Sequence, residues 1–174
     1  EQEHLTLETG AKAVFLDSAA RLVRTADGRE FGYDELVLAT GSNAATLPIP
    51  GAELTHVYRT LEDVRGIAQQ VKSLAGSLGR APVVATIGGG LLGLEAAAGV
   101  QARGAQALII DGGHWLMGTQ LDQGAGQALG RLVAQKNLRV HGGVFPQQIL
   151  SEDGQVTGVL MADDRVIAAD MVIV

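Results

Sequence analysis

The 174-residue sequence contains no cysteine. Disulfides, thiolate nucleophiles and cysteine-ligated iron–sulfur clusters are therefore excluded from this segment. Aromatic residues make up only 3%, so the core must be built from Ala, Val, Leu and Ile. Cations are scarce as well: 13 Lys and Arg stand against 19 Asp and Glu, for a formal net charge of −6. No basic cluster is long enough to track a phosphodiester backbone, which argues against nucleic acid as a partner. No apolar run reaches the ~20 residues that span a bilayer, and no basic stretch precedes a short apolar one. The expectation is a soluble, cytoplasmic chain with no membrane partner. His4, His56, His114 and His141 lack metal-ligand spacing, so no metal site is expected.

What the chain has in excess is glycine, 24 residues placed at the ends of apolar runs. Such placement suggests an α/β protein with many strand-to-helix turns. "RLVRTADGREFGY" sets Asp27-Gly28 between two short strands, the signal for a tight hairpin. "ELVLA", Glu35 to Ala39, is expected to be a short buried parallel strand that stops at "TGSN", either at a cofactor edge or at a simple turn. "LPIPG", 47 to 51, is the best linker candidate. A helix follows in "RTLEDVRGIAQQVKSLAGSLG", with Thr60 and Asp63 as a capping box in which Asp replaces the usual Glu.

The next segments alternate. "APVVATI" is a strand, "LLGLEAAAGVQAR" a helix stopped by Gly104, and "AQALIID" a strand ending at Asp111. "LDQGAGQALGRLVAQKN" is an amphipathic helix with Ala125, Leu129, Leu132 and Val133 on one face and Asn137 as a left-handed stop. Turns at Asp153-Gly154 and Asp163-Asp164 divide a β-meander that leads into a last buried strand, 171 to 174. The fold class is α/β: a Rossmann-like, doubly wound parallel sheet with a β-meander, behind a β-rich first part. The chain opens without Met on an alternating stretch and closes on "ADMVIV" with no cap, so a piece of a longer protein is expected.

"TIGGGLLGLEAAAG", 86 to 99, is a phosphate-binding turn or only a flexible join. Gly88-x-Gly90-x-x-Gly93 has the dinucleotide spacing, and its context fits: a strand before, a helix after, and an acid, Asp111, 18 residues beyond Gly93. The similar run from Gly124 to Gly130 is one residue too long and follows no strand, so it reads as a small-residue packing stripe. Gly88 permits the turn, Gly90 lets backbone approach a diphosphate, and Gly93 lets helix and strand pack closely. The bare amides of 88 to 93 and the helix N-terminus then offer donors to the anion. Asp111 accepts hydrogen bonds from ribose hydroxyls and repels a 2′-phosphate. With no Arg or Lys in "GGHWLM", NADH is preferred over NADPH. Glu95 falls in the first helical turn, where the macrodipole favours an acid by about 0.3–1 kcal/mol, reason enough for its presence. Thr86 puts a hydroxyl in the strand that needs a backbone acceptor if buried. No residue is a convincing acid, base or nucleophile, so none is assigned as catalytic.

"YDELVLATGS" (33–42), "IPGAELTHVYRTLEDV" (49–64), "VVATIGGGLLGLEAA" (83–97) and "AADMVIV" (168–174) occur in the order and spacing of a known family. In them the sequence resembles the FAD-dependent pyridine nucleotide-disulfide oxidoreductase superfamily, in its cysteine-independent branch. "GGGLLGLEAA" followed by "LMGTQLDQGAGQALGRLVAQKNLRV" is most similar to the flavoprotein portion of NAD(P)H-dependent nitrite reductase large subunits and related nitrate reductase electron-transfer subunits. Ferredoxin and rubredoxin reductases are the near relatives.

The resemblance implies that residues 1–48 are the later part of an FAD domain, with Thr40 and Gly41 near the flavin nucleotide. Residues 49–174 would be the NADH domain, its final strand returning to the FAD domain. It places Glu95 near the nicotinamide and turns the Leu91 and Leu92 amides toward the diphosphate or nicotinamide. The implied cofactors are NADH and FAD, and the implied partner is an iron–sulfur acceptor domain or protein that takes electrons after hydride transfer to the flavin. The family's first FAD fingerprint is missing here, so this segment is expected to hold FAD poorly. Two alternatives remain: a ferredoxin or rubredoxin reductase, and a non-catalytic dinucleotide-sensing module.

Overall fold

The computed structural model describes residues 5–44 and 46–174, and His4 lies outside them. The chain divides into two units, Glu1–Ser42 and Asn43–Val174.

In the first unit, β1 (Ala13–Asp17), β2 (Leu22–Thr25) and β3 (Glu30–Gly32) form an antiparallel sheet in the order β1-β2-β3. The Asp27-Gly28 hairpin forms as the sequence suggests, with the Thr25 N–H donating to the Arg29 carbonyl at 2.9 Å. The segment 35–39 does not form the expected strand. Val37 is 87% and Leu38 70% exposed, and no described strand pairs with them. An apolar run becomes a strand only when a neighbour takes its backbone donors and acceptors.

In the second unit, α1 (Leu61–Leu78) begins at Thr60. The Asp63 N–H donates to Thr60 Oγ1 at 3.1 Å, and the Thr60 N–H returns to Asp63 Oδ2 at 2.7 Å, so the shorter acid completes the box. Then follow β4 (Val83–Ile87), α2 (Leu91–Gln101), β5 (Gln106–Asp111), α3 (Gln123–Gln135) and β6 (Arg139–Gly142). β7 (Pro146–Glu152), β8 (Gln155–Met161) and β9 (Val166–Ala168) make the antiparallel meander, and β10 (Met171–Ile173) ends the chain's elements. The first meander turn is carried by two successive left-handed residues, Asp153 (φ 50°) and Gly154 (φ 75°), which match the twist of the flanking strands.

The parallel sheet has the order β10-β4-β5-β6. Side chains alternate across it. Val84, Ile109 and Met171 meet Ile67 and Val71 of α1, Ala96 and Val100 of α2, and Val133 of α3. Ala85, Leu108, Ile110 and Val172 face the meander through Ile149, Val159 and Met161. The central strands are covered on both faces, one by helices and one by the meander, which is why they read as unbroken apolar runs.

One expectation is corrected here. Ala125 of α3 is exposed and Leu132 is 58% exposed; the inward face is Gly126, Leu129 and Val133. The helix is rotated because Trp115 and Leu116 press on it at Gly126, where a Cβ would stand 2.8 Å from the Leu116 carbonyl oxygen. β10 pairs in parallel with β4, Met171 opposite Val84 and Ile173 opposite Thr86. Asp170 fixes the register: its carboxylate takes the Val83 N–H at 2.7 Å and the two Arg80 guanidinium nitrogens at 2.7 and 2.8 Å. Among the described residues no helix is long and apolar enough to cross a membrane, and no group of three His, Cys, Asp or Glu could hold a metal ion.

Candidate functional site

The chain leaves β4 through Gly88, whose φ of 117° is open to glycine and strained for other residues. Gly90 caps α2 with extended backbone and no side-chain bond, and the first helical bond runs from the Leu94 N–H to the Gly90 carbonyl at 3.0 Å. The amides of Leu91, Leu92 and Gly93 thus precede any helical acceptor, at the positive end of the helix. The amide of Gly88 is not bare, contrary to expectation. It donates to the Ile110 carbonyl at 2.8 Å and belongs to the sheet.

Each remaining glycine of the turn has its own reason. At Gly93 a Cβ would collide with the carbonyl of Gly88, its carbon only 3.0 Å away, so helix and strand could not pack this closely with any other residue. At Gly90 a Cβ would meet nothing within 4 Å. It would instead project into free space above the helix end.

That space is a cavity of about 580 Å³, lined by Gly88, Gly90, Leu91, Leu92 and Gly93. The expected fingerprint residues are therefore brought together. Ile87, Ala96 and Ile173 supply an apolar wall, while Tyr58, Arg59 and Gln120 come from elsewhere in the chain. Thr86 also borders the cavity; it is 1% exposed, and its hydroxyl donates to the Leu108 carbonyl at 3.3 Å, as a buried hydroxyl in this strand requires.

Asp111 stands beside the turn but not in this cavity. A Cβ on Gly89 would lie 2.7 Å from its Cγ, so the carboxylate rests against the backbone of the second glycine. It lines a separate cavity of about 120 Å³ together with Gly113, His114, Trp115 and Gln127. The loop between β5 and α3 is tied to the same glycine by the Met117 N–H, which donates to the Gly89 carbonyl at 2.8 Å, and is braced internally by Trp115 Nε1, which donates to the Leu121 carbonyl at 3.1 Å.

Glu95 is the fifth residue of α2 and is exposed, so it lies beyond the first turn, and the macrodipole explanation loses its force. It does not line the cavity. Thr40 and Gly41 are exposed residues of the first unit, where Thr40 borders an apolar groove of about 370 Å³ with Val14, Leu16 and Leu38. No helix lies among the described residues of that unit, so it offers no helix N-terminus to a flavin diphosphate.

Sequence reasoning missed Tyr58 and Arg59. They are placed by a non-local bridge: the His56 N–H donates to the Val172 carbonyl at 2.9 Å, and the Val174 N–H returns to the His56 carbonyl at 2.8 Å. Burial at this bridge pushes the His56 imidazole below its ordinary pKa. The available signal was the sequence "HVYRT", which runs directly into the capping box.

The pyridine nucleotide-disulphide oxidoreductase family model matches residues 1–174. The chain belongs to this family. A probable ferredoxin reductase of Castellaniella defragrans is 33% identical over 100% of the chain, which spans 41% of that protein. The nitrite reductase [NAD(P)H] large subunit of Klebsiella oxytoca is 34% identical over 99% of the chain, which spans 17% of it. In structure, a ferredoxin reductase from Rhodopseudomonas palustris superposes with a TM-score of 0.83 at 27% identity, over 94% of this chain and 39% of that one. The chain therefore spans well under half the length of these relatives. The family is one of redox enzymes that use flavin and nicotinamide cofactors, and its members here include reductases of both ferredoxin and nitrite.

Proposed function

We propose that this chain is the NADH-binding portion of a flavoprotein oxidoreductase that passes electrons to an iron–sulfur acceptor, in nitrite or nitrate assimilation. The observation that carries the reading is the open end of α2: three uncapped amides facing a cavity that only a side-chain-free residue 90 leaves clear. A dinucleotide fits these residues. The amides of Leu91, Leu92 and Gly93 would hold its diphosphate, the apolar wall would exclude water, and Asp111, on the far side of Gly89, would accept the ribose hydroxyls. When bound, NADH supplies a hydride, which the flavin of the full-length protein would take. Glu95 would orient the nicotinamide, and Thr40 and Gly41 would lie near the flavin nucleotide; the family resemblance alone supports these three. A cytoplasmic location accords with a soluble coenzyme.

The relative from Castellaniella, matched over the whole chain, favours a second reading: a ferredoxin reductase that serves a separate carrier. A non-catalytic dinucleotide sensor would use the same fold. Purified full-length protein separates the three. NADH-dependent nitrite reduction without added carrier supports the first, turnover only with added ferredoxin the second, and NADH binding without turnover the third. Absence of NADH binding would overturn all of them.

A further inference from the structure

Arg59 contributes the one charged side chain that lines the 580 Å³ cavity among the described residues. It comes from the segment before α1, not from the glycine turn. Its backbone is pinned, the N–H donating to Asp63 Oδ2 at 3.2 Å, and its neighbour Tyr58 packs on the helix-side core. Its guanidinium takes part in no hydrogen bond or ion pair among the described residues, whereas Arg24, Arg29, Arg80 and Arg165 are each held by an acid. Asp63 accepts the amides of Thr60 and Arg59, which lower its pKa, and the guanidinium adds to this through space, without a direct hydrogen bond or ion pair. A chain of net charge −6 thus places a cation with no direct acid partner among the described residues beside a helix N-terminus.

We propose that Arg59 is a second anchor for the coenzyme diphosphate, gripping from the α1 side the linkage that the amides of α2 hold. The proposal rests on the NADH reading above. Guanidinium matches phosphate oxygens bidentately, in a way that backbone amides on one side cannot. It also offsets the long-range repulsion between an acidic protein and a dianionic linkage. Because Asp111 lines the other cavity, Arg59 acts on the phosphates and not on the adenosine 2′-position.

The test titrates full-length protein with NADH, NADPH and ADP-ribose, which keeps both phosphates and lacks the nicotinamide. Arg59→Gln should raise Kd for all three alike, by about tenfold or more, the usual scale for loss of a charged hydrogen bond. It should also flatten the salt dependence of binding. Arg59→Lys should recover part of the loss, and both variants should melt like wild type, since only the Arg59 backbone joins the capping box. Unchanged Kd in Arg59→Gln overturns the proposal, as does a loss confined to NADPH or one that spares ADP-ribose. If wild type binds none of the three, the coenzyme reading itself has failed and the proposal falls with it.

Discussion

Two glycines three residues apart make opposite demands. Gly93 is required by packing, because its missing Cβ lets α2 sit on the Gly88 carbonyl. Gly90 is spared by packing: its φ of −81° and ψ of −177° suit any residue, and a Cβ there meets nothing. Gly93→Ala should therefore destabilise the fold by about 1–3 kcal/mol through overpacking. Gly90→Ala should leave the melting temperature unchanged and weaken NADH about tenfold or more, since the methyl occupies space a diphosphate needs. Thermal melts and NADH titrations on the two variants separate the roles. Equal effects of both on stability would remove the reason for assigning Gly90 to the ligand.

Asp111 makes a second residue-scale prediction. Removing its charge is not enough to admit a 2′-phosphate, because a cation must replace it. Gly112 is a poor place for one, as a Cβ there would lie 2.6 Å from Cζ of Phe145. His114 is exposed and lines the same small cavity as Asp111. Asp111→Ser with His114→Arg should shift the ratio of NADH to NADPH affinity toward NADPH by about tenfold or more. A ratio that stays at the wild-type value would detach Asp111 from the ribose.

At the scale of elements, the joints between secondary structures carry their own chemistry. Thr60→Ala removes one half of the box at α1 and should cost about 1 kcal/mol, measured by denaturant unfolding. Asp170 links β10, β4 and Arg80. The Arg80 guanidinium and the Val83 amide hold its carboxyl below the ordinary carboxylate value. A carboxylate depressed in the folded state adds stability above its unfolded pKa, about 3.9, and that stability is lost as pH falls toward the folded value. Asp170→Asn should therefore lower the melting temperature at neutral pH and shrink the difference from wild type as pH drops below about 4. A difference that persists unchanged into acid would place the contribution in packing and not in charge.

These elements also show what is legible in a sequence. The hairpin at Asp27-Gly28, the box at Thr60 and Asp63, and the β4–turn–α2 unit are each decided within a few residues of themselves, so spacing reveals them. The segment 35–39 has the right residues for a strand but no described neighbour to pair with, and apolar content does not report a partner. α3 has two candidate faces; Trp115 selects the one at Gly126, and that contact depends on how the preceding loop folds back. Arg59 enters the cavity only because His56 bridges β10 across more than a hundred residues of sequence. Local chemistry and the parallel sheet are readable in the sequence, whereas the loops and segments that fold back onto that sheet are not.

For the whole molecule, one stacking order accounts for both the core and the candidate site. The inner strands of the parallel sheet are buried between helices and meander, so β4, β5 and β10 are largely apolar and their ends must turn sharply. The site sits at the carboxyl end of β4, where sheet order places β5 on one side and β10 on the other, the position at which open α/β sheets bind ligands. The apolar groove beside Thr40 belongs to the first unit and is a separate feature.

The most direct measurement is a crystal structure of the full-length protein grown with saturating NADH. Diphosphate oxygens within about 2.7–3.2 Å of the Leu91, Leu92 and Gly93 amide nitrogens are expected, with the adenosine ribose on Asp111. Coenzyme bound elsewhere, or an empty cavity above Gly90 at saturation, would contradict the assignment.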